Sequence, residues 1–150
     1  PSNPWLRVVE AQGAEAIDYP VMPLEALRWA DDMDDFEQAR KDKWKWTAMI
    51  MQPSIVTVKG LKAAKAELAR KKKVLPAMDL VRIQDMTEGP CAQVLHTGPY
   101  ADEGPTIAKL HAFIRSKGKV MRGWHREIYL SDARRSAPEK LRTIIRQPFC

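Results

Sequence analysis

Alternating apolar and polar residues predict several strands in this chain. The clearest alternation runs over Trp44–Met51, where one face carries two tryptophans, an alanine and an isoleucine and the other carries lysine, threonine and two methionines. A period of two predicts a strand. A second strand is predicted over Tyr19–Trp29, with Glu25 and Trp29 on one side and Pro23 indicating an edge position or a bulge.

The second half of the chain adds further strand patterns. These strands are predicted at Leu80–Thr87, Cys91–His96, Arg126–Leu130 and Arg142–Gln147. Glu88-Gly89-Pro90 joins the first two, so we expect them to form a hairpin. Weaker patterns predict a short strand at Leu6–Glu10, a solvated loop at Asp31–Asp35, and helical turns at Phe36–Lys41 and Pro138–Leu141.

Apolar residues at helical spacing predict two helices. Thr57 can cap the first, which runs to about Lys73 with Leu61, Ala64 and Leu68 on one side. Asp102 and Pro105 open the second, which Gly118 ends; its apolar face consists of Ile107, Leu110, His111 and Ile114. Strands and helices together predict one α+β domain over residues 1–150, with a mostly antiparallel sheet.

Charge and cysteine content narrow the class of protein. The net charge is +6, yet the Lys71–Lys73 run closes a helix, where cations complement the helix dipole. No zinc-finger, RNP or helix-turn-helix pattern is present, so we expect no direct nucleic-acid binding. Cys91 and Cys150 lie far apart, which favours free thiols in a reducing compartment. With no membrane-length apolar run and no signal-peptide pattern at the start, a cytoplasmic location follows.

Two strands carry the same arrangement of charge. LEALRW at Leu24–Trp29 and REIYLS at Arg126–Ser131 each place one glutamate early in an apolar strand that precedes another strand. This repeated pattern predicts that the chain has two halves, each built from the same supersecondary unit. If a pseudo-dyad relates the halves, Glu25 and Glu127 should face a shared central groove.

Four segments, taken in order, resemble the GyrI-like small-molecule-binding family. They are PLEALRW (Pro23–Trp29), KWKWTAMIMQP (Lys43–Pro53), HTGPY followed by TIAKL (His96–Leu110), and REIYLSDARRSAPEKLRTIIRQP (Arg126–Pro148). The resemblance covers about residues 19–149 and leaves 1–18 unmatched. It implies duplicated strand-helix-strand-strand modules with a central ligand cleft. Bacterial relatives include gyrase-modulating proteins and effector domains of multidrug-responsive regulators.

The opening of the chain departs from this family pattern. Members begin with an additional strand and helix, and residues 1–18 are too short and too weakly patterned to supply both. The first module is therefore expected to be incomplete. Either the chain is a fragment, or a partner chain covers the exposed sheet, in which case a homo-oligomer is expected.

Glu127 is the first candidate site residue because it resembles the cleft glutamate of the family. Burial should raise its pKa unless a cation or hydrogen-bond donors stabilise the anion. It would then attract a cationic ligand or act as an acid or base. The alternative is an ordinary pairing of Glu127 with an arginine on an exposed strand, and Glu25 has the same two interpretations.

Aromatic residues supply the candidate pocket wall, since flat rings bind planar ligands and attract cations. The candidates are Trp29, Trp44, Trp46, Tyr100, Trp124 and Tyr129, with Met49 as an adaptable surface on the opposite side. Each tryptophan also suits an ordinary core. His96 is either a ligand-binding residue or a structural one. No metal-ligand spacing, P-loop or GxGxxG motif is present, so neither a metal nor a cofactor is expected.

Two functional classes remain open. The first is a binding protein that sequesters or senses planar or amphipathic xenobiotics and so confers drug resistance. The second is a hydrolase, because a subfamily of GyrI-like proteins opens the strained cyclopropane of DNA-alkylating antibiotics. There Glu127 would orient or deprotonate water, and Tyr129 or Tyr100 would donate to the developing oxyanion. A gyrase-binding inhibitor that uses the basic surface ranks last.

Overall fold

The computed structural model describes residues 19–31 and 43–150. Within these ranges lie five strands, which are β1 (Leu24–Trp29), β2 (Lys45–Ile50), β3 (Cys91–Thr97), β4 (His125–Tyr129) and β5 (Arg142–Pro148). The helices there are α1 (Val58–Arg70) and α2 (Gly104–Ser116). Short 3₁₀ turns occupy Pro76–Leu80, Tyr100–Asp102 and Pro138–Lys140.

The five strands form one sheet in the order β2-β1-β4-β5-β3, and every pairing among them is antiparallel. The predicted α+β class with a mostly antiparallel sheet is confirmed. β1 and β4 meet at the centre of the sheet, where Ala26 lies opposite Glu127. The centre therefore joins strands that are about a hundred residues apart in sequence.

The two faces of the sheet differ in what covers them. On one face, here called the helix face, Ala92 of β3 and Ile145 of β5 pack against Leu110 and Ile114 of α2. Ile145 and Ile114 are almost fully buried, so this contact is the apolar core. The opposite side is called the far face. Because side chains alternate along a strand, the register assigns each strand residue to one face.

The second module of the predicted repeat is present in full. β3, α2, β4 and β5 follow one another as strand, helix, strand and strand. β1 and β2 form an antiparallel pair that corresponds to β4 and β5. The predicted strand at Leu6–Glu10 and the predicted turn at Phe36–Lys41 lie outside the described residues.

Met51–Thr87 form a compact unit distinct from the unit that contains the sheet. In it, the Oγ1 of Thr57 accepts a hydrogen bond from the amide of Gly60 at 3.2 Å and caps α1, as predicted. Lys72 adopts a left-handed conformation with φ 53° just beyond the helix. The 13 residues of α1 include no buried side chain.

The predicted strand at Leu80–Thr87 is wrong, and so is its hairpin with β3. Residues 81–87 carry no strand, and β3 pairs with β5 instead. The side chains of Leu80 and Val81 are 76% and 52% exposed, so this segment has no buried face to fix a strand register.

Neither α1 nor α2 has the length and hydropathy that a membrane-spanning helix requires. Cys91 and Cys150 are both free.

Candidate functional site

A buried carboxylate lies on the helix face at the centre of the sheet. Glu127 is only 2% exposed. Its Oε1 is 2.9 Å from Nε of Arg28, and its Oε2 accepts a hydrogen bond from the hydroxyl of Tyr129 at 2.5 Å. Nη2 of Arg28 in turn donates to that hydroxyl at 3.1 Å. The three side chains form a closed network, here called the Glu127 network.

The strand register explains how this network forms. Ala26 of β1 lies directly opposite Glu127, and Arg28 lies opposite His125. Arg28 therefore reaches Glu127 diagonally across two antiparallel strands, a distance that a long side chain spans. Ala26 and Ala48 are both small and adjacent in the register; Ala26 is buried beside the carboxylate, whereas Ala48 is exposed.

His125 is the third polar neighbour of the Glu127 carboxylate, after Arg28 and Tyr129. Its Nε2 lies 3.5 Å from Oε1 of Glu127, and the residue is 3% exposed. The two residues share a face because they are two positions apart in β4. Glu127 thus has polar neighbours from both central strands.

The network keeps Glu127 ionised. Burial alone would raise its pKa, but hydrogen bonds from His125 and Tyr129 and the charge of Arg28 outweigh burial, so the pKa is lowered. The sequence analysis predicted a raised pKa unless a cation or hydrogen-bond donors stabilise the anion, and here both are present. Burial and the negative charge of Glu127 raise the pKa of Tyr129 well above its usual value. At neutral pH, Tyr129 is therefore a neutral donor.

Two aromatic rings border this network. The ring of Tyr100 packs edge-on against Tyr129 at 5.4 Å between centroids. Cζ of Arg28 lies 5.9 Å from the ring centroid of Trp44, within the range of a cation–π contact. Of the candidate site residues, Glu127, Tyr129, Tyr100 and Trp44 are thus brought together.

The HTGPY turn positions Tyr100. Gly98 has φ 133°, a conformation that disfavours any other residue, and its amide donates to the carbonyl of Leu141 at 2.9 Å. The ring of His96 bonds the Oγ1 of Thr106 at 3.0 Å and the carbonyl of Pro99 at 3.2 Å. Both ring nitrogens of His96 therefore hold the turn, which matches its structural interpretation and not a ligand-binding one.

An exposed apolar surface adjoins the network on the helix face. It consists of Leu24, Trp46, Ala48 and Ile50, and is here called the platform. Trp46 lies directly opposite Arg28 in the register, and its side chain is 66% exposed. Trp46 and the network therefore share a face of the sheet, and the indole is available to a ligand.

The remaining candidates do not share this face. Glu25, Trp29 and Met49 alternate onto the far face. The ring of Trp29 stacks on that of Trp124 at 4.5 Å with an interplanar angle of 17°. The expectation that Glu25 and Glu127 face a shared groove is wrong. Glu25 lies opposite Ile128, the neighbour of Glu127, so the two glutamates point to opposite faces of the sheet.

Glu25 belongs to a separate ion network on the far face. Nε of Arg126 donates to Glu25 at 2.6 Å, while Nη1 of Arg126 contacts Glu88 at 2.9 Å. Glu88 also binds Arg146 at 3.1 Å, and Arg146 donates to Gln93 at 2.7 Å. These five residues, here called the far-face network, link β1, β4, β5 and β3.

Sequence reasoning gave pairing with an arginine only as an alternative on an exposed strand, and it named neither Arg28 nor Arg126 as the partner of a buried glutamate. The signal was present, because a carboxylate buried in an apolar strand requires a cation. LEALRW supplies Arg28 three residues after Glu25, and REIYLS supplies Arg126 just before Glu127. Because both spacings are odd, the arginine and the glutamate of one strand lie on opposite faces of the sheet. Each glutamate therefore pairs with the arginine of the other strand.

An α+β sheet with a buried carboxylate beside aromatic rings defines a class of small ligand-binding domains. A family model, the GyrI-like small molecule binding domain, matches residues 21–148. The chain therefore belongs to the GyrI-like family, as the sequence resemblance predicts.

Solved structures share this fold. A hydrolase from Listeria innocua is 34% identical with a TM-score of 0.77, and the match covers 93% of this chain and 66% of that chain. An uncharacterised conserved protein from the same organism is 39% identical with a TM-score of 0.73, over 89% of this chain and 66% of that one. The chain thus spans just under two thirds of the length of these relatives. A comparison with curated proteins found no match.

Proposed function

We propose that this domain binds a planar, amphipathic small molecule on the helix face, over the platform and against the Glu127 network. The observation that carries the proposal is the buried Glu127 carboxylate beside an exposed indole on the same face. Membership of a small-molecule-binding family supports it. Sequestration of a xenobiotic in the cytoplasm is the role we infer.

The surroundings of the network suit a flat ligand. Trp46 offers an exposed aromatic ring, and the exposed Ala48 next to it on the platform is small enough to leave room for a flat molecule. Stacking on an aromatic ring gives apolar contact at low entropic cost. Arg28 and Tyr129 then supply the polar groups that orient a ligand at one end.

A matched pair of tryptophans tests where the ligand binds. We expect Trp46→Ala to weaken binding of acridone, a neutral planar probe, by about tenfold, which is a typical loss for a stacking indole. Trp124 is 48% exposed and stacks on the far-face residue Trp29, so Trp124→Ala serves as the control and should leave the affinity unchanged. Titration calorimetry measures both. A loss in Trp124→Ala alone would place the ligand elsewhere.

Hydrolysis of an activated cyclopropane is the second candidate function. Support comes from the relative described as a hydrolase and from the Glu127–Tyr129 contact of 2.5 Å. In the reaction, a water oxygen bonds to the cyclopropyl carbon as the carbon–carbon bond breaks. The released electron pair passes to the conjugated carbonyl oxygen, which takes a proton to become a phenol, while the attacking water loses one. The net change is addition of water.

The network assigns roles in that reaction. Because both oxygens of Glu127 already have partners and its pKa is lowered, it acts by holding Tyr129 and Arg28 in place more than as a base. Tyr129 already donates its one hydroxyl proton to Glu127, so Arg28 is the member of the network that keeps N–H donors for a developing oxyanion.

Mass spectrometry tests this activity directly. Incubation with a cyclopropane-containing alkylator should yield the ring-opened product with the wild-type chain, and at least tenfold less with Glu127→Gln. Binding of the alkylator without turnover would reject hydrolysis and leave the binding function in place.

A further inference from the structure

Both oxygens of the Glu127 carboxylate already have a partner within the protein, and the residue is only 2% exposed. Arg28 occupies Oε1 at 2.9 Å and Tyr129 occupies Oε2 at 2.5 Å. The charges of Arg28 and Glu127 cancel, so the network carries an internal counter-ion in the position that a cationic ligand would need.

We infer that Arg28 is the charged group that meets the ligand, and that the site selects neutral or anionic planar molecules with an acceptor oxygen over organic cations. This inference rests on the proposed binding function and names its ligand class. Among the described residues, Nη1 of Arg28 has no hydrogen-bond partner. A conjugated carbonyl or carboxylate oxygen is the complementary group.

The exposed fractions of the two side chains support the inference that a ligand contacts Arg28 and not Glu127. The side chain of Arg28 is 31% exposed, whereas that of Glu127 is 3% exposed. The side chain of Arg28 is therefore more accessible to a ligand than the carboxylate with which it pairs. Trp46 lies opposite Arg28 on β2, so a ring stacked on this indole has its edge near the guanidinium donors.

A cation faces two penalties at this site. To reach Glu127 it must break the ion pair and the Arg28–Tyr129 hydrogen bond at 3.1 Å. It then lies beside the displaced guanidinium, and like charges at close range repel. A neutral acceptor faces neither penalty because it uses the free donor.

Two probes with the same tricyclic ring system test the inference. Acridone carries a conjugated carbonyl and is neutral, while aminoacridinium is a cation. We expect wild-type protein to bind acridone at least tenfold more tightly than aminoacridinium. Arg28→Met should reverse the preference, because it frees Glu127 and removes the donor. The double variant Arg28→Met with Glu127→Gln is the control. It should bind acridone more weakly than wild type does, and aminoacridinium more weakly than Arg28→Met does.

A conservative variant covers the case in which Arg28→Met does not fold, which circular dichroism monitors. Arg28→Lys keeps the cation but not the planar fork of donors, so acridone should weaken about fivefold while the cation stays excluded. Equal affinities of the two probes in wild type, unchanged in the Arg28 variants, would overturn the inference and leave the proposed function standing. Failure of wild type to bind either probe would overturn both.

Discussion

The central strands β1 and β4 carry two buried glutamate–arginine pairs, one on each face of the sheet. On the far face, Glu25 pairs with Arg126, and Arg126 continues through Glu88 to Arg146. On the helix face, Glu127 pairs with Arg28, whose chain of contacts ends at Tyr129. The same pairing chemistry therefore occurs twice between the same two strands.

The difference lies in what surrounds each arginine. The side chain of Arg126 is 13% exposed and has two carboxylate partners, whereas that of Arg28 is 31% exposed and has one. A buried arginine with two carboxylate partners uses its donors to link strands. A partly exposed arginine with one carboxylate partner keeps N–H donors that a ligand can use. The comparison teaches that a buried glutamate is common to both pairs, and that the exposure of its arginine partner is what distinguishes them.

The largest effect on stability is expected on the far face. Arg126→Met leaves Glu25 buried without its cation and removes one of the two cations at Glu88. We expect it to lower the free energy of unfolding by about 3–5 kcal/mol, the usual loss when one partner of a buried pair is removed. Urea denaturation measures this. Adding Glu25→Gln should recover part of the loss, and a loss below about 1 kcal/mol would show that the far-face network is not structural.

Glu127→Gln should cost less, about 1–3 kcal/mol, because Arg28 is left next to solvent. The pKa of Glu127 is lower in the folded chain than its ordinary 4.5, so its stabilisation is present above about pH 4.5 and is lost as pH falls through the folded value. The difference between wild type and Glu127→Gln should therefore shrink in acid. Denaturation at neutral pH and at about pH 3 tests this, and a difference that grows in acid contradicts the lowered pKa.

Tyr129→Phe removes one donor to Glu127 and should cost about 1 kcal/mol at neutral pH. Because the pKa of Tyr129 is raised from 10.0, its contribution is complete below pH 10 and declines as pH rises further. Wild type should thus lose stability more steeply than Tyr129→Phe above pH 10. If the stability of wild type and that of Tyr129→Phe fall equally with pH above 10, the raised pKa of Tyr129 is contradicted.

The smallest effect is expected at an exposed pair. Nζ of Lys45 lies 2.8 Å from the carboxylate of Asp31, and both side chains are more than half exposed. Lys45→Ala should change stability by less than about 0.5 kcal/mol, and raised salt should abolish the difference. A loss of stability in Lys45→Ala as large as that in Glu127→Gln would mean that burial does not explain the difference between the Lys45–Asp31 pair and the Glu127–Arg28 pair.

Local pattern was sufficient to predict most of the elements. The period of two in KWKWTAMI identified β2, and helical spacing with a Thr57 cap identified α1. It failed at Leu80–Thr87, where apolar residues alternate but no second surface buries them. A strand needs a partner edge and a buried face, and neither is encoded within the segment itself.

The sequence by itself determined the family and the strands that carry the glutamates, arginines and aromatic residues, because each depends on residue type and order. It did not determine which glutamate shares a face with the exposed indole of Trp46. Only the antiparallel register of β1 and β4 decided that, since one residue of offset sends Glu25 and Glu127 to opposite faces. Register is set by packing between strands about a hundred residues apart, and this is why only the tertiary structure shows Arg28 at the site.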